Sequence, residues 1–166
     1  FGWSRGSMVS QLTSQRYPDT VGALVLFGYP VDPDRKAAEQ PEPESPARKP
    51  TTAEAAAEDF IAPGVMSKRA IEAYVQAALA ADPVRMDWRR EPEWNELSPE
   101  AVHVPVLLLQ AELDPLAKTE AQAKLFARLG TADRQWVVIP KGDHAALIED
   151  TAPKMIAAIR AFLERP

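Results

Sequence analysis

Apolar side chains fall along this chain in two patterns. Three short runs are continuous and aliphatic: Ala23 to Phe27, Val104 to Leu109 and Trp136 to Ile139. A strand with one wet face alternates apolar and polar residues, whereas a run apolar at every position suits a strand covered on both faces, as in parallel sheets. Elsewhere the apolar positions take helical spacing. Met8, Leu12 and Gln15 lie along one helix within Ser7 to Gln15. Ile71, Tyr74, Val75, Ala78 and Leu79 mark a second, and Ala121, Leu125, Phe126 and Leu129 a third. Met155, Ile156, Ile159, Phe162 and Leu163 mark the last. Gly130 is expected to end the third helix as its C-cap and Thr151 to cap the last, with Pro153 tolerated in its first turn. Strands alternating with helices predict an α/β fold whose mostly parallel sheet is flanked by helices.

One interval breaks the rhythm. Six prolines fall between Pro30 and Pro50, among Asp, Glu, Lys and Arg and with hardly an apolar side chain. Such a stretch buries too little surface to offset its ordering entropy, so a mobile loop is expected there. An Ala-rich stretch from Thr52 to Phe60, the helix near Ile71 and a Trp-containing turn, MDWRREPEW, follow. The chain therefore divides into a core part over residues 1–29, a lid-like insertion over 30–102 and a second core part over 103–166. Tyr29, Met66, Tyr74, Met86, Trp88 and Trp94 fall in or next to the insertion, where packing is the expected role of each.

Three strands are few for such a fold, because strand edges and apolar faces stay uncovered. Phe1 looks like the end of a strand whose body is absent. The expectation is that the chain forms the C-terminal portion of a larger α/β unit. An N-terminal segment, in the same or a second chain, would then complete the sheet.

Composition narrows the chemistry. Nineteen Lys and Arg against twenty-four Asp and Glu leave a net charge of −5, with no basic cluster suited to nucleic acid. No apolar run approaches the roughly 20 residues that span a bilayer. Cysteine is absent, which removes disulfides, thiolate metal sites and a cysteine nucleophile. No HExxH, no histidine pair at ligand spacing, no carboxylate box and no Gly-rich phosphate loop appears, so neither metal nor cofactor is expected.

The segment Gly2-Trp3-Ser4-Arg5-Gly6 matches G-x-S-x-G, a serine on a sharp strand-to-helix turn. Gly2 and Gly6 are both expected to lack a Cβ so that strand and helix can approach. The pattern alone is also that of a glycine-flanked surface serine, and the later residues decide between the two. Chain order should run serine, acid, histidine, with acid and base in loops after strands. Of the two histidines, His103 precedes a strand, on the wrong side of a parallel sheet, while His144 follows Trp136 to Ile139 at its carboxyl end. Asp114 follows Val104 to Leu109 in the same manner and is preferred as the acid. Asp32 is its main competitor, ahead of Glu112 and Asp143.

These segments resemble a known family. FGWSRGS looks like the nucleophile elbow of α/β-hydrolases, VPVLLLQAELDPLAKTEAQAKLF like their strand, acid turn and helix, and WVVIPKGDHAALIED like their last strand and histidine loop. The similarity covers Phe1 to Leu26 and about Ala101 to Pro166. It implies Ser4 as nucleophile, His144 as base, Asp114 as the residue orienting it, and the backbone N–H of Arg5 as one oxyanion donor. A second donor would come from a loop after an earlier strand. The implied activity is hydrolysis of a carboxylic ester or related small-molecule acyl compound. Amide or peptide hydrolysis, carbon–carbon hydrolysis and haloperoxidase chemistry would use the same triad. A binding protein that kept the fold, or a piece inactive alone, is the alternative of another class.

Overall fold

The computed structural model describes residues 1–34, 47–86 and 92–165. The elements follow in chain order: β1 (Gly2–Trp3), α1 (Arg5–Arg16), β2 (Leu24–Phe27), β3 (Arg48–Pro50) and α2 (Ala53–Ala57). Then come α3 (Lys68–Ala81), β4 (Val84–Met86), β5 (Val106–Ala111), α4 (Thr119–Arg128), β6 (Arg134–Ile139) and α5 (Ala152–Leu163). Four strands form a parallel sheet in the order β1-β2-β5-β6, with Leu24 opposite Val106 and Leu107 opposite Gln135. The α/β class and the parallel sheet flanked by helices are as the apolar runs indicate.

The runs of β2 and β5 are apolar throughout because both of their faces are covered, whereas in β6 only Ile139 is buried and Val138 is exposed. Leu24, Leu26, Val106 and Leu108 pack to one side with Met8 of α1 and Leu125 of α4. Val25, Phe27, Leu107 and Leu109 pack to the other with Met155 and Phe162 of α5. Tyr29 is buried in the first of these clusters, and Trp94 packs against it. Both are packing residues.

Several expectations are corrected. Gly2–Trp3 is itself a short strand, pairing with Leu26 and Phe27, so the sheet's outer edge is β1 rather than β2. Gly130 is not a left-handed C-cap. It is needed because a Cβ there would lie 2.0 Å from the carbonyl oxygen of Glu100. Thr151 occupies the N-cap position, yet its hydroxyl donates back to the Ala146 carbonyl at 3.4 Å instead of capping the helix.

Residues 48–50, expected as loop, form an antiparallel pair with β4 outside the main sheet. The pair was invisible to an apolar pattern because Arg48, Lys49 and Pro50 are all exposed. Between its strands lie α2 and α3, the latter capped by the Ser67 hydroxyl accepting from the Ala70 N–H at 3.2 Å. Residues 35–46 of the expected Pro-rich loop, and Trp88 within its turn region, lie outside the described residues.

Candidate active site

All four strands of the main sheet point their carboxyl ends at one rim, and the residues singled out from sequence gather there. Ser4 follows β1 directly. Its backbone takes φ 53° and ψ −126°, a conformation that costs a non-glycine residue about 1–3 kcal/mol. Neighbouring bonds hold the turn: the Ser4 N–H donates to the Phe27 carbonyl at 2.9 Å, and the Ser4 carbonyl accepts from the Ser7 N–H at 2.9 Å and from the Ser7 hydroxyl. Gly2 allows it, since a Cβ there would sit 2.3 Å from the Gly6 carbonyl oxygen. Gly6 does not share that requirement. It is exposed, and a Cβ on it would meet nothing among the described residues.

His144 and Asp114 come together. The loop after β6 carries the imidazole, fully buried, and the turn after β5 carries the carboxylate, with 2.8 Å between His144 Nδ1 and Asp114 Oδ2. The other carboxylate oxygen accepts from the Leu116 N–H at 2.8 Å and the Ala117 N–H at 3.2 Å, so its direction is set by the backbone. Gly28, at the end of β2, makes room for this pair. It has φ +59°, and a Cβ on it would stand 3.0 Å from His144 Cε1.

His144 Nε2 has no hydrogen-bond partner, and the Ser4 hydroxyl donates none, among the described residues. The two loops touch through Trp3 instead. Its indole N–H donates to the His144 carbonyl at 2.6 Å, and the two rings are 5.8 Å apart. Hydrogen bonds at such sites are commonly long in the unliganded state and tighten around a substrate.

The rejected candidates lie elsewhere. Asp32 is bound to Lys124 at 2.9 Å, and Glu112 accepts from the Lys141 N–H at 2.8 Å. His103 is exposed, with Nδ1 3.2 Å from the Gly130 carbonyl. Asp143 has a different task, which the sequence did not signal. One of its oxygens accepts from the Ile61 and Ala62 N–H groups, both at 2.7 Å, and the other from the Ala145 N–H at 2.9 Å. It thus pins the segment before α3 onto the histidine loop. Burial works against its ionisation, but the hydrogen bonds from Glu149 and these N–H groups prevail and hold Asp143 below the usual carboxylate range. Burial, and then the neighbouring Asp143, push the Glu149 carboxyl up to about 8. Of the two carboxyls, Glu149 therefore holds its proton the more tightly.

The pinned segment brings Asp59 within 4.0 Å of His144 Nε2. Burial raises the Asp59 carboxyl above its ordinary value, partly offset by the attraction of His144. No periodicity or motif marked Asp59, because nothing local requires an acid between α2 and α3. Beside the elbow, Arg5 lines a cleft of about 330 Å³ together with Lys49, Thr52, Ala55, Glu58 and Arg85. Arg5 is also the first residue of α1, so its own N–H has no intrahelical partner. No described group of three acidic or histidine side chains is arranged to hold a metal.

Comparison with known proteins supplies a family and a fold. The family model described as serine aminopeptidase, S33, matches residues 1–151. A thermophilic esterase from Thermogutta terrifontis, solved with malate bound, is similar at 23% identity and a TM-score of 0.66, over 98% of this chain and 62% of that one. A monoacylglycerol lipase from Paleococcus ferrophilus gives 16% and 0.65, over 98% and 66%. A serine hydrolase involved in carbazole degradation gives 22% and 0.62, over 98% and 61%. The chain thus spans about three-fifths of the length of these structures. No curated protein sequence matches it.

Proposed function

Since the chain belongs to the serine aminopeptidase S33 family of α/β-hydrolases, we propose that it is a serine hydrolase cleaving a carboxylic ester or related acyl compound. The observation that carries this reading is the buried His144–Asp114 pair, its Nε2 open, on the same rim as a serine held at positive φ. In the proposed reaction His144 Nε2 takes the Ser4 proton as Oγ attacks the acyl carbonyl. Asp114 fixes the imidazole tautomer and stabilises the cation that forms. The negative charge on the carbonyl oxygen meets the N–H of Arg5 at the start of α1. The tetrahedral species collapses as His144 returns the proton to the departing alcohol, leaving an acyl-serine. Water then attacks with His144 as base again, the free acid leaves, and Ser4 regains its proton.

The proposal extends to a lid role for residues 30–102 and to a segment that pairs with the open edge of β1 and brings the second oxyanion donor. The exposed apolar surface of Phe1, Ile156 and Leu163 supports such a partner. The family's description favours a second reading, amide or peptide hydrolysis on the same residues.

The experiment is fluorophosphonate labelling of the chain together with 4-nitrophenyl ester hydrolysis. Label on Ser4, turnover lost in Ser4→Ala and His144→Ala, and turnover kept in His103→Ala are the expected results. Equal losses at both histidines would remove His144 from the role of base.

A further inference from the structure

The cleft beside the elbow is built from two separate parts of the chain. Arg5 comes from the residue after the candidate nucleophile, while Lys49 and Arg85 come from adjacent strands, β3 and β4, where they are direct register partners. Arg85 is already engaged, at 2.8 Å from Glu58 and 3.4 Å from the Ala55 carbonyl. Arg5 and Lys49 are not. Neither makes a hydrogen bond or an ion pair among the described residues. Among the described residues the cleft is lined by three cations and one carboxylate, an excess of two positive charges, in a chain whose net charge is −5. Unpaired cations facing one cavity are unusual in an acidic protein, because neighbouring carboxylates would ordinarily neutralise them.

At His144 Nε2 the neighbouring charge has the opposite sign. Asp59 stands 4.0 Å from His144 Nε2, the atom that hands its proton to the leaving group. An anionic leaving group would be repelled there. An anionic group on the acyl side would instead lie toward Arg5, whose own N–H is assigned to the acyl carbonyl oxygen. The α1 N-terminus adds a positive field in the same place.

We propose that the cleft lined by Arg5, Lys49 and Arg85 is an acyl subsite for a carboxylate, so that the preferred substrates are half-esters of dicarboxylic acids. This rests on the hydrolase reading above. Arg5 then acts twice, through its backbone on the oxyanion and through its guanidinium on the distal carboxylate. Lys49 and Arg85 make residues 48–86 specificity-determining.

The test compares monoethyl adipate with ethyl hexanoate by proton release in a pH-stat, using the full chain. The kcat/KM ratio of anionic to neutral ester should be about ten, the size expected of two solvent-exposed ion pairs, and should shrink with added salt. Lys49→Gln should lower the ratio about threefold. Glu58→Gln should raise it, because Arg85 is released, and damage to folding cannot mimic a gain of this kind. Lys154→Gln, remote on α5, should leave the ratio as it is. A ratio near one in the unaltered chain, or no rise in Glu58→Gln, would overturn the subsite while leaving the hydrolase intact. If the chain hydrolyses 4-nitrophenyl esters in a Ser4-dependent way but prefers ethyl hexanoate, only the subsite is lost. If no ester is turned over and Ser4 is not labelled even with the segment that completes the sheet present, the hydrolase reading itself fails and takes the subsite with it.

Discussion

The sheet around β5 and the excursion from β3 to β4 are built on opposite terms. Every residue of β5 is buried, and Asp114 and, after β6, His144 sit on ends of strands that cannot shift without opening the core. In α3 a single residue, Val75, is buried, and β3 is exposed throughout. The first region fixes a few atoms to within a hydrogen bond. The second is held to the first by local devices, chiefly Asp143 on Ile61 and Ala62. Rigid positioning suits the groups assigned to bond making, and a lightly anchored surface suits the groups assigned to substrate choice.

The sharpest way to break this contrast is at the rigid end. Asp114→Asn keeps the shape of the turn but presents the wrong tautomer to His144. The expected loss in turnover is on the order of 10⁴, with thermal unfolding nearly unchanged. Should Asp32→Asn cause that loss instead, the acid would belong with Lys124 and β2, and the assignment made here would fall. Stability separates the regions next. Leu108→Ala, at the centre of β5, should destabilise by about 2–5 kcal/mol in urea unfolding. Val75→Ala on α3 should lower stability by well under half as much. Equal losses would mean that the excursion is as much core as the sheet.

This contrast also explains what could be read from sequence. The runs Ala23–Phe27 and Val104–Leu109 announce strands because burial on both faces of β2 and β5 demands apolar positions, Trp136–Ile139 announces one although Val138 is exposed, and strand ends then locate Asp114 and His144. Residues 48–50 and 84–86 carry no such signal, since an exposed two-stranded ribbon imposes no apolar period. Asp59 and Asp143 were not legible as a unit, because their roles arise where Ile61 and Ala62 reach the histidine loop, some 80 residues along the chain. Gly6 fits its motif without needing the space, whereas Gly28, outside any motif, needs it.

The joint between the regions titrates. Glu149 has a folded-state pKa of about 8, above its ordinary value of 4.5, so folding binds a proton there. Its contribution is fully present below about pH 4.5 and is lost as pH rises through 8. The unaltered chain should therefore lose thermal stability between about pH 4.5 and 8. Glu149→Gln, neutral at every pH, should flatten that decline. A decline of the same steepness in the variant would place the titration elsewhere.

The smallest effect is expected at the excursion's surface, where the contrast can be sharpened most finely. Arg85 and Glu58 lie 2.8 Å apart, with side chains 35% and 56% exposed. Water screens both charges, and ordering two long side chains offsets much of the attraction, so such pairs contribute about 0–1 kcal/mol. Glu58→Gln should shift the urea midpoint barely beyond error. Under the proposed subsite, the same substitution should raise the preference for monoethyl adipate. Selectivity would then move while stability stays still, as follows if this surface chooses substrates and the sheet holds the fold. A stability loss comparable to that of Leu108→Ala would show instead that the ion pair is structural, and that the excursion is anchored by more than its clamp to the histidine loop.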